Sequence, residues 1–213
     1  MNLAGNIIIN IYSVILLSVI YAYSLKLDGK SSFQHRLYIV MLNVAALLLI
    51  IDILGRFDGK PGTVYAQINY WGNLLIFSLS AILPSLWLMY VHYQIFQQAT
   101  KTKRLILPLA AVNAANAFMV ALSQPFGWFY YIDQNNIYHR GRYFILPVML
   151  SILIIAASYA LIIIDRKRIN KKYYFPLAFF IVPPLVCIFL QVFIYGISLM
   201  LNGVVVSLCS LCF

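Results

Sequence analysis

The run LYIVMLNVAALLLIIDIL, from Leu37 to Leu54, contains a single charged residue, and apolar runs like it recur along almost the whole chain. A bilayer core of about 30 Å needs about 20 apolar residues of helix. By that measure spans are predicted at 3–25, 37–54, 70–96, 105–122, 144–164 and 174–199, with a last run over 204–213. That last run, as a helix, rises only about 15 Å, half a bilayer, so the expectation is six full spans plus a truncated seventh. The runs are about twice the length of a barrel strand and do not alternate polar with apolar. The predicted fold is therefore all-α, a polytopic transmembrane helical bundle.

Composition agrees. Hydrophobic residues make up 63% of the 213 and charged residues 9%, against about 25% charged in an ordinary soluble domain. The mean hydropathy is +0.89. A water-soluble globule is excluded, and the lipid bilayer is the first expected partner. No Gly/Ser linker or low-complexity segment divides the chain, so 1–213 reads as one domain. MNLAGNIII has no basic segment ahead of its apolar run, so it reads as a retained helix and not a cleaved signal.

The basic residues predict an orientation. Lys26, Lys30, Arg36, Lys101, Lys103, Arg104, Arg166, Lys167, Arg168, Lys171 and Lys172 fall in alternate loops, whereas Arg56, Lys60, Arg140 and Arg142 fall on the other side. Lys and Arg accumulate in cytoplasmic loops, which places the N-terminus outside and the C-terminus in the cytoplasm. The net charge of +10 then reflects topology, with anionic lipid beside DRKRINKK as a contributing partner. A short juxtamembrane run of this kind does not call for nucleic acid.

Polar residues near one membrane surface define the candidate site. Asp52 sits close to the end of the second run, and an acid at membrane depth suggests a functional site. The alternative is an interfacial acid paired with Arg56 one turn later. Asn69 and Asn73 begin the third span at the same level, and Gln191 lies somewhat deeper in CIFLQVFIYGI. Their shared depth raises a common cavity open to the outside. Asn43, Asn113 and Asn116 read instead as amides that bond neighbouring helices. The outer loop FYYIDQNNIYHRGRYF, from Phe129 to Phe144, mixes both charge signs with aromatics. It supplies Asp133, Tyr138 and Arg140 as polar contacts, with Trp128 just before it as an aromatic wall. Arg140 has a structural alternative, pairing with Asp133 or Asp52 to fix the loop. Pro84, Pro147, Pro183 and Pro184 mark bends in their helices.

Enzymatic readings fail on inventory. The chain has no Glu, and His35, His92 and His139 lie apart, so no HExxH motif or His-rich metal site is expected. Cys209 and Cys212 have CxxC spacing inside an apolar run, where packing is the expected role. No catalytic residue and no cofactor is expected in this segment.

Several segments taken in order resemble a known family. Asp52 in LIIDILGRFDG is followed by LPSLWLMYVHYQIF, then by the loop FGWFYYIDQNNIYHRGRYF, then by LPLAFFIVPPLVCIFLQVFIYGISL. The order resembles the N-terminal membrane-sensing region of bacterial GGDEF diguanylate cyclases of the Firmicutes type, to which seven-helix regions ahead of histidine kinases are related. One departure is His92, where such proteins often carry an acid. The resemblance implies a sensory input domain in the bacterial cell membrane, with an unknown small-molecule or membrane ligand. It also implies a C-terminal cytoplasmic output domain making cyclic di-GMP from GTP, and a homodimer. The alternatives are the sensor region of a histidine kinase and a small-solute transporter.

Overall fold

The computed structural model describes residues 3–26, 32–193 and 198–211, without the side chains of Gln191 and Val192. Of the residues singled out above, Lys30, Cys212 and the Gln191 side chain lie outside the described set. The helices are α1 (Leu3–Ser24), α2 (Phe33–Leu54), α3 (Thr63–Leu79), α4 (Ile82–Phe96), α5 (Ala99–Lys103) and α6 (Ile106–Ser123). After a hairpin of β1 (Tyr130–Ile132) and β2 (Tyr138–Arg140) come α7 (Ile145–Ile164), α8 (Lys171–Phe179), α9 (Val182–Phe193) and α10 (Met200–Ser210). Six helical stretches of at least 18 residues are apolar enough to cross a membrane: Leu3–Ser24, Phe33–Leu54, Thr63–Phe96, Ala99–Phe126, Ile145–Ile164 and Lys171–Leu190. The all-α multi-pass bundle is as expected, with α10 as a shorter apolar helix beside it.

Burial ranks the helices. Half of the apolar window of α2 is buried inside the protein, but only 11% of the window containing α6. The α2 helix is thus the centre of the bundle, and α6 gives most of its surface to lipid. Leu49, Met41, Trp87, Val205 and Leu208 form the middle of the core. There Trp87 stacks on Phe180, ring centroids 3.7 Å apart and planes 7° from parallel.

Two spans are broken within the membrane, and proline explains where. A proline has no N–H to donate and its ring collides with the carbonyl four residues back. For Pro84 that residue is Ser80, between α3 and α4; for Pro184 it is Phe180, between α8 and α9. Each helix stops there and restarts with the proline in its first turn, where the missing N–H has no intrahelical role. The freed carbonyls find partners on other helices, as a membrane interior demands. Ser151 Oγ of α7 donates to the Ser80 carbonyl at 3.3 Å. Asn116 Nδ2 of α6 donates to Phe77 and Ser78 carbonyls at 3.0 and 3.1 Å. Ser207 Oγ of α10 donates to the Phe180 carbonyl, and the Ile181 amide donates to Tyr159 Oη at 2.9 Å. Pro147 makes no bend, because α7 starts at Ile145 and the proline lies in its first turn.

The bundle has two faces. One carries the hairpin and the 55–62 connection, joined where the Gly59 amide donates to the Asn136 carbonyl at 2.7 Å; we call it the hairpin face. The other carries the turns rich in Lys and Arg and is called the basic face. Two glycines set the helix spacing. A Cβ on Gly72 of α3 would stand 2.4 Å from the Gly55 amide, and one on Gly203 of α10 would stand 2.8 Å from the Pro183 carbonyl. Only glycine lets α3 lie against the end of α2, and α10 against the start of α9.

Candidate functional site: two polar clusters under the hairpin

The hairpin is built around one asparagine. Tyr130 pairs with Arg140 and Ile132 with Tyr138 in antiparallel register, leaving a tight turn between. Asp133 organises that turn: its Oδ1 accepts from the Asn135 and Ile137 amides, both at 2.9 Å, and its Oδ2 meets His139 Nε2 at 3.0 Å. Those amide donors, the Ile137 bond first, hold the Asp133 carboxyl below its ordinary value, with His139 adding to the effect. Asn136 takes the left-handed conformation, φ 60°, which asparagine tolerates better than most residues. Its buried side chain then points into the bundle.

There it meets a ring of partners. Asn136 Nδ2 donates to the Phe57 carbonyl at 2.7 Å and the Lys60 carbonyl at 3.0 Å. Its Oδ1 accepts from Asn69 Nδ2 at 2.8 Å, and Asn69 in turn accepts from Asn73 Nδ2 at 2.8 Å. Asp58 Oδ1 accepts from the Tyr138 amide at 2.6 Å. Below the strands an aromatic column continues inward, with Tyr138 5.7 Å from Tyr130 and Tyr130 5.1 Å from Phe77 of α3. Burial pushes the Tyr138 hydroxyl up to about 12 despite the opposing charges of Arg140 and Arg56.

The second cluster lies beside the first, inside the helices. Asp52 is bound by Arg56 through two contacts, one of them Nε to Oδ2 at 3.2 Å. Asn10 Nδ2 of α1 donates to Asp52 Oδ2 at 2.9 Å. Asn10 Oδ1 accepts from Asn202 Nδ2 of α10 at 3.1 Å, and Asn202 Oδ1 accepts from Ser13 Oγ at 2.6 Å. Nearer the surface, Asn6 Oδ1 accepts from the Ser198 amide at 2.7 Å. Asn6, Asn10, Ser13, Asp52 and Asn202 are all buried. A continuous polar ladder therefore ties α2 through α1 to α10. Asn73 of the first cluster packs close to Gly55, the residue before Arg56: its Nδ2 lies 3.3 Å from where a Cβ on Gly55 would stand.

Asp52, Asn69 and Asn73 stand in two separate clusters, and each of these side chains finds an internal partner among the described residues. Of the two readings of Asp52, the pairing with Arg56 is present, and it is joined by Asn10. Arg140 pairs with neither Asp133 nor Asp52. Those carboxylates are taken by His139 and Arg56, and Arg140 is exposed with its guanidinium 4.8 Å from the Phe144 ring centroid. Trp128 is 44% exposed and stacks on Phe126 at 4.7 Å, so it belongs to the aromatic rim and not to a pocket wall. Gln191 lies on the α9 backbone, but its side chain is outside the described set. Open space on this face lies at the hairpin tip, in a cleft of about 400 Å³ whose lining includes Lys60, Thr63, Gln134, Asn135 and Asn136.

Asn10, Asn202, Asn136 and Asp58 were not among the expected site residues. Asn6, Asn10 and Ser13 recur at helical spacing on one face of α1, which was the readable signal. Asn202 falls between the predicted runs 174–199 and 204–213, yet α10 begins at Met200 and contains it. Of the amides read as structural, Asn113 and Asn116 do bond other helices, through Ser85 and the α3 carbonyls, while Asn43 bonds its own helix at the Ile39 carbonyl. Among the described residues, no three His, Cys, Asp or Glu side chains gather as a metal-binding group.

The fold and this site define a multi-pass helical membrane protein whose buried polar groups tie α1, α2 and α10 together and fix the hairpin to the 55–62 connection. No protein-family model matches the chain, and no curated protein or solved structure matches it significantly.

Proposed function

We propose that the chain is a membrane-embedded sensory input domain, with its hairpin face outside and its basic face in the cytoplasm of a bacterial cell. A ligand at the hairpin-tip cleft, or one borne by the membrane, favours one packing of the loops. The preference is passed through Asn73, Arg56 and Asp52 to Asn10 and Asn202, and so to α10. The mechanism is a population shift, set by the ligand's difference in affinity between two packings. One observation carries the reading: the ladder from Asp52 ends on Asn202 of α10, the helix that leads toward the C-terminus. The distribution of Lys and Arg supports the orientation.

The output we propose is a diguanylate cyclase domain following α10, in keeping with the resemblance of the Asp52 segment, the outer loop and the sixth span to such sensors. A histidine kinase output serves the same input mechanism. Two tests address this. The coding sequence beyond Phe213 should continue into a cyclase or kinase domain. In cells making the intact protein, Asp52→Asn and Asn202→Leu should each shift cyclic di-GMP or phosphotransfer output while the protein remains inserted. A stop codon directly after α10, or unchanged output from both variants, removes the sensory reading.

A second reading, a small-solute transporter, draws on the two proline-broken spans, since interrupted helices often flank transport sites. Against it, the freed carbonyls at both breaks bond to Ser151, Asn116, Ser207 and Tyr159 instead of facing a cavity. Uptake of labelled solutes by proteoliposomes is its test.

A further inference from the structure

The basic face holds a pocket that the sensory reading does not use. Between α7 and α8, Arg166, Lys167, Arg168, Lys171 and Lys172 crowd together, and Asp165 pairs with Arg168 at 3.2 Å. Arg168 stands over the Phe96 ring at 5.6 Å, and Lys103 over the Phe33 ring at 5.9 Å. The turns after α4 and α7 thus converge around the end of α4. Such a surface by itself needs only water. Beneath it, however, lies Gln94 of α4, 2% exposed, whose Nε2 has no hydrogen-bond partner. Its Oε1 faces Gln97 Nε2 at 3.5 Å, so the amide is oriented with its donor left over. An unmet buried donor costs about 1–3 kcal/mol.

That amide lines a pocket with Lys172, Tyr173, Pro176, Leu177 and Leu211. The enclosed space is about 10 Å³, room for one oxygen-sized group. A neutral donor inside, a cation at the rim and apolar walls together suit an anionic oxygen carried on an amphiphile. We propose that the pocket takes one phosphate oxygen of an anionic phospholipid, the rest of the headgroup lying outside it beside Lys172. One phosphate oxygen accepts from the Gln94 amide and the charge is met by Lys172. The surrounding Lys and Arg side chains attract the rest of the leaflet.

The test uses the full 213-residue chain in nanodiscs of phosphatidylcholine with increasing phosphatidylglycerol. Lipid retained in native mass spectrometry and the thermal midpoint are both read. Phosphatidylglycerol should be retained in preference and should raise the midpoint. Gln94→Leu removes a donor to the phosphate without changing charge, and should lower the phosphatidylglycerol retained about tenfold, the weight of a hydrogen bond to a charged group. In a phosphate-free maltoside detergent its midpoint should equal or exceed wild type, so a folding defect would be visible there. Should that variant fold poorly, Lys172→Gln carries the test from the surface, with a loss of about fivefold that exceeds the loss from Lys101→Gln. Undiminished phosphatidylglycerol retention in Gln94→Leu, or equal losses from the two lysine variants, means a diffuse charged face over a water-filled pocket and overturns the proposal. A midpoint shift from millimolar inorganic phosphate matching that from phosphatidylglycerol overturns it too, assigning the pocket to the free anion.

Discussion

The two polar clusters of the hairpin face are neighbours built from the same groups, aspartates and amides, yet they hold different things together. Around Asn136 the partners are mostly loop backbone, the Phe57 and Lys60 carbonyls, so this cluster fixes one connection to another. Around Asp52 the partners are side chains on α1, α2 and α10, so that cluster fixes helix to helix. The difference separates contact from transmission. Displacing the first cluster moves surface loops, and the second is the one bonded directly to α10.

Substitutions can break this contrast, beginning with the strongest. Asp52→Asn leaves Arg56 without its carboxylate in a largely buried setting, and should cost about 3 kcal/mol in reversible unfolding. Asn136→Ala strips partners from two loop carbonyls and from the buried Asn69 amide, and should cost about 2 kcal/mol. Asn136→Gly should cost somewhat less, because glycine accepts the left-handed backbone without strain. Asn202→Leu removes interhelical amide bonds, each worth about 0.6–1.7 kcal/mol. Combined with Asp52→Asn it should be clearly less than additive, whereas Asn136→Ala combined with Asn202→Leu should be closer to additive, because no direct hydrogen bond joins those two residues. Near-additivity in the first pair would deny the ladder.

Acidity probes the loop cluster alone. The Asp133 carboxyl lies below its ordinary value of 3.8, so its contribution is present above that pH and is lost as pH falls below it. Tyr138 is shifted the opposite way, to about 12 from 10.0, so its contribution is full below pH 10 and disappears as pH rises through about 12. Hydrogen exchange of residues 130–140 should show loss of protection at both extremes, with α10 following later if at all. Weakest of all, Arg140→Ala should cost about 0.5–1 kcal/mol, the worth of an exposed cation over an aromatic ring. A larger loss in thermal stability would mean the guanidinium has a partner beyond Phe144.

The spans and the two proline sites were readable because lipid imposes its own length and chemistry on a helix. Even so, α3 starts at Thr63, ahead of the expected Tyr70, since its first turns stand in the polar surface layer where hydropathy gives no signal. The hairpin was not readable: YYI and YHR are three residues each, and their pairing depends on a turn that Asp133 and Asn136 organise through contacts distant in sequence. The Asp52–Arg56 pair was visible from its spacing of one helical turn. The polar face of Asn6, Asn10 and Ser13 on α1 was legible as a spacing, but the Asn10 partner was not, because Asp52 lies 42 residues away. The resemblance to cyclase sensors pointed to Asp52 and the outer loop, but it did not indicate that they occupy separate clusters.

The central claim is that Asp52 governs α10. Hydrogen exchange of residues 200–210 in nanodiscs, compared between wild type and Asp52→Asn, tests it most directly. The ladder predicts faster exchange throughout the first turns of α10 in the variant, with a smaller change in residues 130–140. Exchange in α10 equal to wild type, with loosening confined to α2 or the hairpin, would contradict it.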